Sequence, residues 1–145
     1  MSYKKWFVAI GTVVLCLVAA CGYAQGPTNV TGWEGKTVFY IGDGSEGTVE
    51  GIDINGEVGY PLSVFQPQAH CESGGWNAQM EIVSGTLPPG LSFDNNNWRI
   101  SGIPTERGHW IMRIKVKDIE CNGVYCMGYT QELRFHITGT GKVIE

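Results

Sequence analysis

Residues 84–108 decide the fold, and they read SGTLPPGLSFDNNNWRISGIPTERG. Pro88 and Pro89 fix their own φ angles and lack N–H donors, which excludes them from the middle of a β-sheet. We expect this part of the chain to run along the edge of a sandwich. Leu87 and Leu91, on either side of the prolines, are then expected to insert into the core.

Three segments outside this stretch alternate between apolar and polar residues, which is the period of a half-buried strand. They are Trp76 to Val83, His109 to Lys117 and Thr130 to Ile137. No segment after residue 25 keeps a helical period over ten or more positions. Strands with one apolar face need a second layer to cover it, so the sequence predicts an all-β sandwich.

A turn is predicted at Asp94 to Asn97, because Asp and Asn side chains hydrogen-bond to nearby backbone and tolerate left-handed conformations. With this turn, residues 84–108 resemble the signature of a bacterial immunoglobulin-like domain family of the He_PIG type. The signature has a Leu-Pro-Pro-Gly-Leu segment, a polar turn and an Ile-Ser-Gly-Thr-Pro-Thr segment. The resemblance covers about residues 56–139. It implies an immunoglobulin-like β-sandwich with Greek-key connections.

Two positions depart from that signature. Trp98 stands where the family usually has a turn glycine, and Ile103 replaces the usual threonine before Pro104. They make the turn after Asp94 less standard without threatening the fold.

The first twenty-five residues have the three-part pattern of a secretory signal. Lys4 and Lys5 are followed by an apolar run from Trp6 to Ala20 and then by small residues. The apolar run is shorter than the ~20 residues that a membrane-spanning helix needs. The sequence therefore predicts an exported protein with one domain after the signal.

Two cleavage sites compete. Residues 18–21, Val-Ala-Ala-Cys, resemble a lipobox, which implies a signal peptide over 1–20 and a lipid on Cys21. Residues 22–24, Gly-Tyr-Ala, fit ordinary cleavage before Gln25 equally well. The first alternative implies an outer-membrane lipoprotein, and the second a soluble periplasmic or secreted protein.

Composition divides the rest of the chain. Residues 21–35 are rich in Gly, Pro, Thr and Asn and predict a flexible linker. The sandwich is expected over 36–139 and a tail over 140–145. Residues 36–55 add either an extra N-terminal strand or hairpin, or an arm that pairs with another chain.

Charge argues against a nucleic-acid partner. Without Lys4 and Lys5, eight basic residues face fourteen acidic ones, which gives a net charge of −6. The basic residues also form no run that could follow a phosphate backbone.

Three cysteines are left for pairing under either cleavage, because Cys21 is either lipidated or removed: Cys71, Cys121 and Cys126. They permit one disulfide, which is expected in an oxidising compartment. The resemblance places Cys71 in one loop and the other two cysteines in a second loop at the same end of the sandwich. It implies a bridge from Cys71 to Cys121 or Cys126, with Cys121–Cys126 as the competing pair.

Aromatic and polar residues flank these loops, and we interpret them as a binding surface. They are His70, Glu72, Trp76, Glu120, Asn122, Tyr125 and Tyr129. The alternation of residues 76–83 also allows Trp76 to be a core residue, and the tyrosines could be ordinary loop residues.

The sequence has no catalytic or nucleotide-binding motif, and its three histidines, His70, His109 and His136, lie in separate segments. The cysteine spacing does not suit zinc, and Asp94 to Asn97 lacks the other ligands of a calcium site. We therefore expect no enzyme activity, metal or cofactor. The expected function is a binding or adhesion module of the cell envelope, whose partner is a protein or a glycan. The alternatives are a structural accessory lipoprotein of a larger envelope assembly and an inhibitor of an attacking enzyme.

Overall fold

Strands make up nearly all the regular structure in the computed structural model, which describes residues 29–40, 49–71, 75–121, 123–126 and 128–140. The strands are β1 (Asn29–Thr31), β2 (Thr37–Tyr40), β3 (Ile52–Glu57), β4 (Leu62–Val64), β5 (Gln68–His70), β6 (Trp76–Gly85), β7 (Leu91–Asp94), β8 (Arg99–Gly102), β9 (Gly108–Cys121), β10 (Val124–Cys126) and β11 (Tyr129–Thr138). A 3-10 turn covers Trp33–Gly35. Within these ranges no helix is long and apolar enough to cross a membrane.

Two sheets form the layers of the sandwich. In one sheet β9 pairs with β6 on one side and with β10 and β11 on the other, and β3 adds to β11 in parallel. The second sheet has the order β4-β8-β7 and is antiparallel. The chain passes from β3 to β4, back to β6, across to β7 and β8, and back to β9. This is the Greek-key connectivity of an immunoglobulin-like sandwich, so the predicted fold class is confirmed.

The core lies between the two sheets, because one cluster of buried side chains draws on both. Its members are Trp33, Ile52, Ile54, Val64, Ile100, Met112, Ile114, Leu133 and Phe135. Leu87 and Leu91 pack against this cluster from either side of the proline pair, as predicted. The prolines themselves lie in the connection from β6 to β7, outside both ladders.

The predicted alternation holds best in the central strand. In β9, Met112, Ile114 and Val116 are buried while Arg113 faces solvent. It is weaker in β6, where Ala78 is buried but Ile82 is 47% exposed. Among the described strands β6 pairs only with β9, so the inward side chains of this edge are incompletely covered.

The linker predicted over residues 21–35 is corrected from Asn29 onward. β1 pairs with β2 and with β5. The extra N-terminal hairpin is therefore formed by β1 and β2, and its first strand lies in the predicted linker, before residues 36–55 where the hairpin was expected. Trp33 is fully buried in the core, and its backbone N–H donates to Oε1 of the buried Gln131 over 2.9 Å. Burial of a large aromatic ring offsets the entropy lost in ordering this Gly- and Thr-rich stretch.

The turn predicted at Asp94 to Asn97 connects β7 to β8. Oδ1 of Asp94 accepts from the N–H of Asn96 over 2.9 Å, and its Oδ2 accepts from Nδ2 of Asn97 over 2.7 Å. These hydrogen bonds, led by the one from the Asn97 side chain, lower the pKa of Asp94. Trp98 follows with φ 50°. The backbone at Trp98 is therefore left-handed, a conformation that favours glycine.

The predicted signal peptide, Cys21 and residues 141–145 of the predicted tail lie outside the described residues.

Candidate binding site

A disulfide joins Cys71 to Cys121, with 5.9 Å between the Cα atoms. The resemblance to the immunoglobulin-like family implies that Cys71 pairs with Cys121 or Cys126, and the pairing with Cys121 is confirmed. Cys71 directly follows β5, and Cys121 is the last residue of β9 before the β9–β10 turn. The bridge therefore ties the segment before β6 to the tip of this hairpin. The side chain of Cys126 is outside the description.

The predicted binding residues separate onto the two faces of the β9 sheet. Glu120 lies opposite Tyr125 in the hairpin and opposite Asn77 in β6, so these three residues form one row. Tyr125 is 64% exposed. A hydrogen bond to Glu120, reinforced by the negative charge of that carboxylate, raises the pKa of Tyr125. Tyr125 and Glu120 therefore form a contiguous polar and aromatic surface.

Trp76 lies on the opposite, inward side. It is half-buried against the second core cluster, which is built around Val116, Ile119 and Tyr129. Its ring centroid is 4.8 Å from that of Trp98. The two indoles close the sandwich between β6 and the β7–β8 turn, so the core interpretation of Trp76 applies.

Tyr129 is not a surface residue, which corrects its inclusion in the binding surface. It opens β11 opposite Val116 and is 1% exposed. Burial raises the pKa of its phenol. His70 is exposed in β5, opposite Asn29 of β1. Glu72 and Asn122 lie outside the described residues.

A polar network on the outer face of the same sheet was not predicted. Nδ1 of His136 is 2.7 Å from Nδ1 of His109, and its Nε2 is 2.9 Å from Oδ1 of Asp53. Arg134 donates to both carboxylate oxygens of Asp53, over 2.9 and 3.0 Å. The hydrogen bond from Arg134, and then the one from His136, lowers the pKa of Asp53 to about 2. This network can share a proton between two imidazoles and keeps the carboxylate anionic.

Sequence spacing alone did not reveal this network because its members come from three strands. His109 and His136 are direct partners only in the β9–β11 register, and Asp53 joins them through the parallel β3–β11 pair. The alternation of 109–117 and 130–137 was a usable signal for the faces but not for the register. Within the described ranges, no group of three or more His, Cys, Asp or Glu residues could hold a metal ion.

A cavity of about 550 Å³ opens between β3 and β4, which are edge strands of the two sheets among the described residues. Ile52, Ile54 and Leu62 line its apolar part, and Glu34 and Lys36 are among its charged lining residues. Its size is within the range of small-ligand pockets.

Comparisons with known proteins identify no family. No family model matches the chain. No curated protein matches it either.

Solved structures show weak likenesses. A Bacteroides fragilis protein provisionally named an α-galactosidase is 21% identical over 59% of this chain and 16% of that one, with a TM-score of 0.40. A nucleoside hydrolase-related protein from Saccharophagus degradans is 13% identical over 66% of this chain and 24% of that one, with a TM-score of 0.37. The PKD domain of a human protein is 9% identical over 72% of this chain and 99% of that one, with a TM-score of 0.36. The chain thus spans less than a quarter of the length of the two bacterial structures. At these scores the likenesses do not bear on activity.

Proposed function

We propose that this protein is a non-catalytic binding domain of the bacterial cell envelope, which presents the disulfide-tied end of an immunoglobulin-like sandwich to a protein or a glycan. The observation that carries the proposal is the exposed Tyr125 beside Glu120, on a hairpin whose tip is bridged by Cys121 to Cys71. A bridged loop loses little further entropy on binding, and an exposed tyrosine supplies a large contact area.

The outer-face network supports a non-catalytic role. His136 and Asp53 are partly exposed on the face of a sheet, with side-chain exposures of 35% and 53%. Catalytic groups generally converge in a concave site that excludes water. Here the same groups form cross-strand hydrogen bonds and ion pairs, which is a sufficient structural role.

Photo-crosslinking in a bacterial host tests the proposed surface. A photoreactive amino acid at position 125 should give a discrete adduct, or Tyr125→Ala should abolish retention on an immobilised glycan. The matched control is position 95, which is exposed in the β7–β8 turn. Equal adducts at both positions, together with unchanged glycan retention, would refute the proposal.

Export is part of the same proposal, and the Cys71–Cys121 bridge supports it, because disulfides persist in oxidising compartments. Intact mass spectrometry of membrane and soluble fractions tests how the chain is exported. We expect a mass that begins at an acylated Cys21 in the membrane fraction, which would establish the lipoprotein. A mass that begins at Gln25 in the soluble fraction would contradict it.

A second candidate function, the structural accessory of a larger assembly, is favoured by the exposed edge at β6. Ile82 and Val83 are 47% and 53% exposed on this strand. Such an edge accepts a strand from another chain. If it does, Val83→Lys should release the protein from envelope complexes during size-exclusion chromatography, whereas Tyr125→Ala should not.

A further inference from the structure

Phe65 is a large aromatic residue held in solvent. Its side chain is 72% exposed in the connection from β4 to β5. Both of its backbone polar groups are occupied by one residue: its N–H donates to Oε1 of Glu34 over 2.8 Å, and its carbonyl accepts from the N–H of Glu34 over 3.2 Å. Phe65 is therefore exposed at a defined position.

The residue that holds Phe65 is itself in an unfavourable conformation. Glu34 has φ 56° and ψ 30°, the left-handed region that non-glycine residues avoid. It persists because the preceding Trp33 is fully buried and tied to Gln131. Backbone strain of this kind is concentrated at functional sites. The local structure thus maintains strain at a residue that fixes the backbone of an exposed phenylalanine.

A cavity of about 240 Å³ lies beside this ring. Its lining residues are Ser63, Val64, Phe65, Gln66, Gln68 and Arg99. Arg99 is the one charged residue among these described lining residues, and its Nε donates to Oγ of Ser63, which also lines the cavity, over 3.0 Å. The register of β4 with β8, continued by one residue, places Phe65 opposite Arg99.

We propose that this cavity binds one uronic acid unit of an acidic glycan, with the sugar ring stacked on Phe65. A pyranose has an apolar C–H face, a rim of hydroxyl groups and, in a uronic acid, a carboxylate. The ring of Phe65 complements the C–H face, and the amides of Gln66 and Gln68 complement the hydroxyl groups. The positive charge of Arg99 complements the carboxylate. The cavity is smaller than a drug-sized pocket, which suits a single ring.

This site shares no residue with the proposed binding end, since Phe65 follows β4 whereas Tyr125 and Glu120 belong to the β9 sheet. Neither proposal needs the other. Tyr125→Ala should leave binding of the acidic sugar unchanged, and Phe65→Ala should leave the crosslink at position 125 unchanged.

NMR titration of the full chain tests the site, with tetragalacturonate as the acidic probe and maltotetraose as the neutral one. We expect tetragalacturonate to shift the amide signals of Phe65 and Arg99, and maltotetraose to bind at least tenfold more weakly. Phe65→Ala should weaken tetragalacturonate binding about tenfold. The matched control is Tyr60→Ala, which removes an aromatic side chain that is 63% exposed outside the cavity lining.

The proposal would be overturned by no binding of tetragalacturonate, by equal affinity for both sugars, or by equal losses in the Phe65 and Tyr60 variants. Glu34 is tested as a positioning residue. Glu34→Ala should speed hydrogen exchange of the Phe65 amide and weaken binding several-fold. Glu34→Gln keeps an acceptor oxygen and should restore both. A protein partner at this site would show itself by crosslinking at position 65 without any sugar binding, which would also overturn the proposal.

Discussion

His109 and His136 meet nitrogen to nitrogen, with 2.7 Å between their Nδ1 atoms, because they are direct partners across β9 and β11. Nε2 of His136 faces a carboxylate oxygen of Asp53, which only accepts, so this nitrogen carries a proton. With both rings neutral, Nδ1 of His136 must accept from Nδ1–H of His109. We expect long-range ¹⁵N NMR to show His136 as the Nε2–H tautomer and His109 as the Nδ1–H tautomer. An Nε2–H tautomer at His109 would contradict this arrangement.

Asp53 should contribute to the acid dependence of stability. Its pKa falls from 3.8 to about 2 on folding, first through the hydrogen bond from Arg134 and then through that from His136. Because the folded pKa is the lower one, the contribution is complete above the unfolded pKa and is lost as pH falls through this window. Urea denaturation should show that Asp53→Asn flattens the pH dependence of the free energy of unfolding between pH 3.8 and about 2. Asn55→Ala, on the same exposed face of β3, should keep the wild-type slope.

The disulfide should stabilise the domain substantially. Cys71 and Cys121 are 50 residues apart, and closing such a loop contributes about 4 kcal/mol in the loop-entropy model. Cys71→Ala should lower the free energy of unfolding by about this amount, and reduction of the wild type should lower it equally. Peptide mapping without reduction should recover a Cys71–Cys121 pair. A Cys121–Cys126 peptide would contradict the bridge.

At position 98 we expect the glycine variant to be more stable than the alanine variant, which is the reverse of the usual order. Both Trp98→Ala and Trp98→Gly lose the ring packed on Trp76, but only alanine keeps a side chain at φ 50°. We expect the glycine variant to be more stable than the alanine variant by about 1 kcal/mol. At Gln79, a β6 residue without positive φ, alanine should be the more stable of the same pair. The measurement is the free energy of unfolding in urea.

Two glycines with the same backbone conformation should differ in their tolerance of alanine. Gly85 and Gly59 both have φ +85°, but a Cβ on Gly85 would collide with the carbonyl oxygen of Ile111, whereas nothing lies within 4 Å of one on Gly59. Gly59→Ala should cost about 1 kcal/mol, from backbone strain alone. Gly85→Ala should cost about 3 kcal/mol or more, because the β6–β9 pairing must also shift. Equal losses in thermal unfolding would show that strain alone decides both.

Much of the fold could be predicted from local patterns. Alternation in residues 109–117 and 130–137 correctly identified two central strands, since a side-chain period of two needs only local sequence. Trp33 lies in the predicted linker instead, because the glycines and threonine around it carry no period. Its burial depends on a space between the sheets that exists only after they pack.

The candidate sites also combine features that the sequence predicts with features that depend on the packed structure. The resemblance brought Cys71 and Cys121 to one end of the sandwich, where the bridge is found. It did not separate Tyr125, which faces solvent, from Tyr129, which is buried. Both tyrosines lie near the hairpin in sequence, and only the position where β11 begins decides between them.

The sequence by itself therefore determined the all-β class, the exclusion of the two prolines from the strands and the Asp94 turn, because each follows from the chemistry of neighbouring residues. Only the tertiary structure decided that Asp53, His109 and His136 form one network and that Glu34 holds Phe65 in solvent. These contacts join residues that are 27 to 83 positions apart. They depend on strand register, which is set by the packing of the whole core rather than by any local stretch.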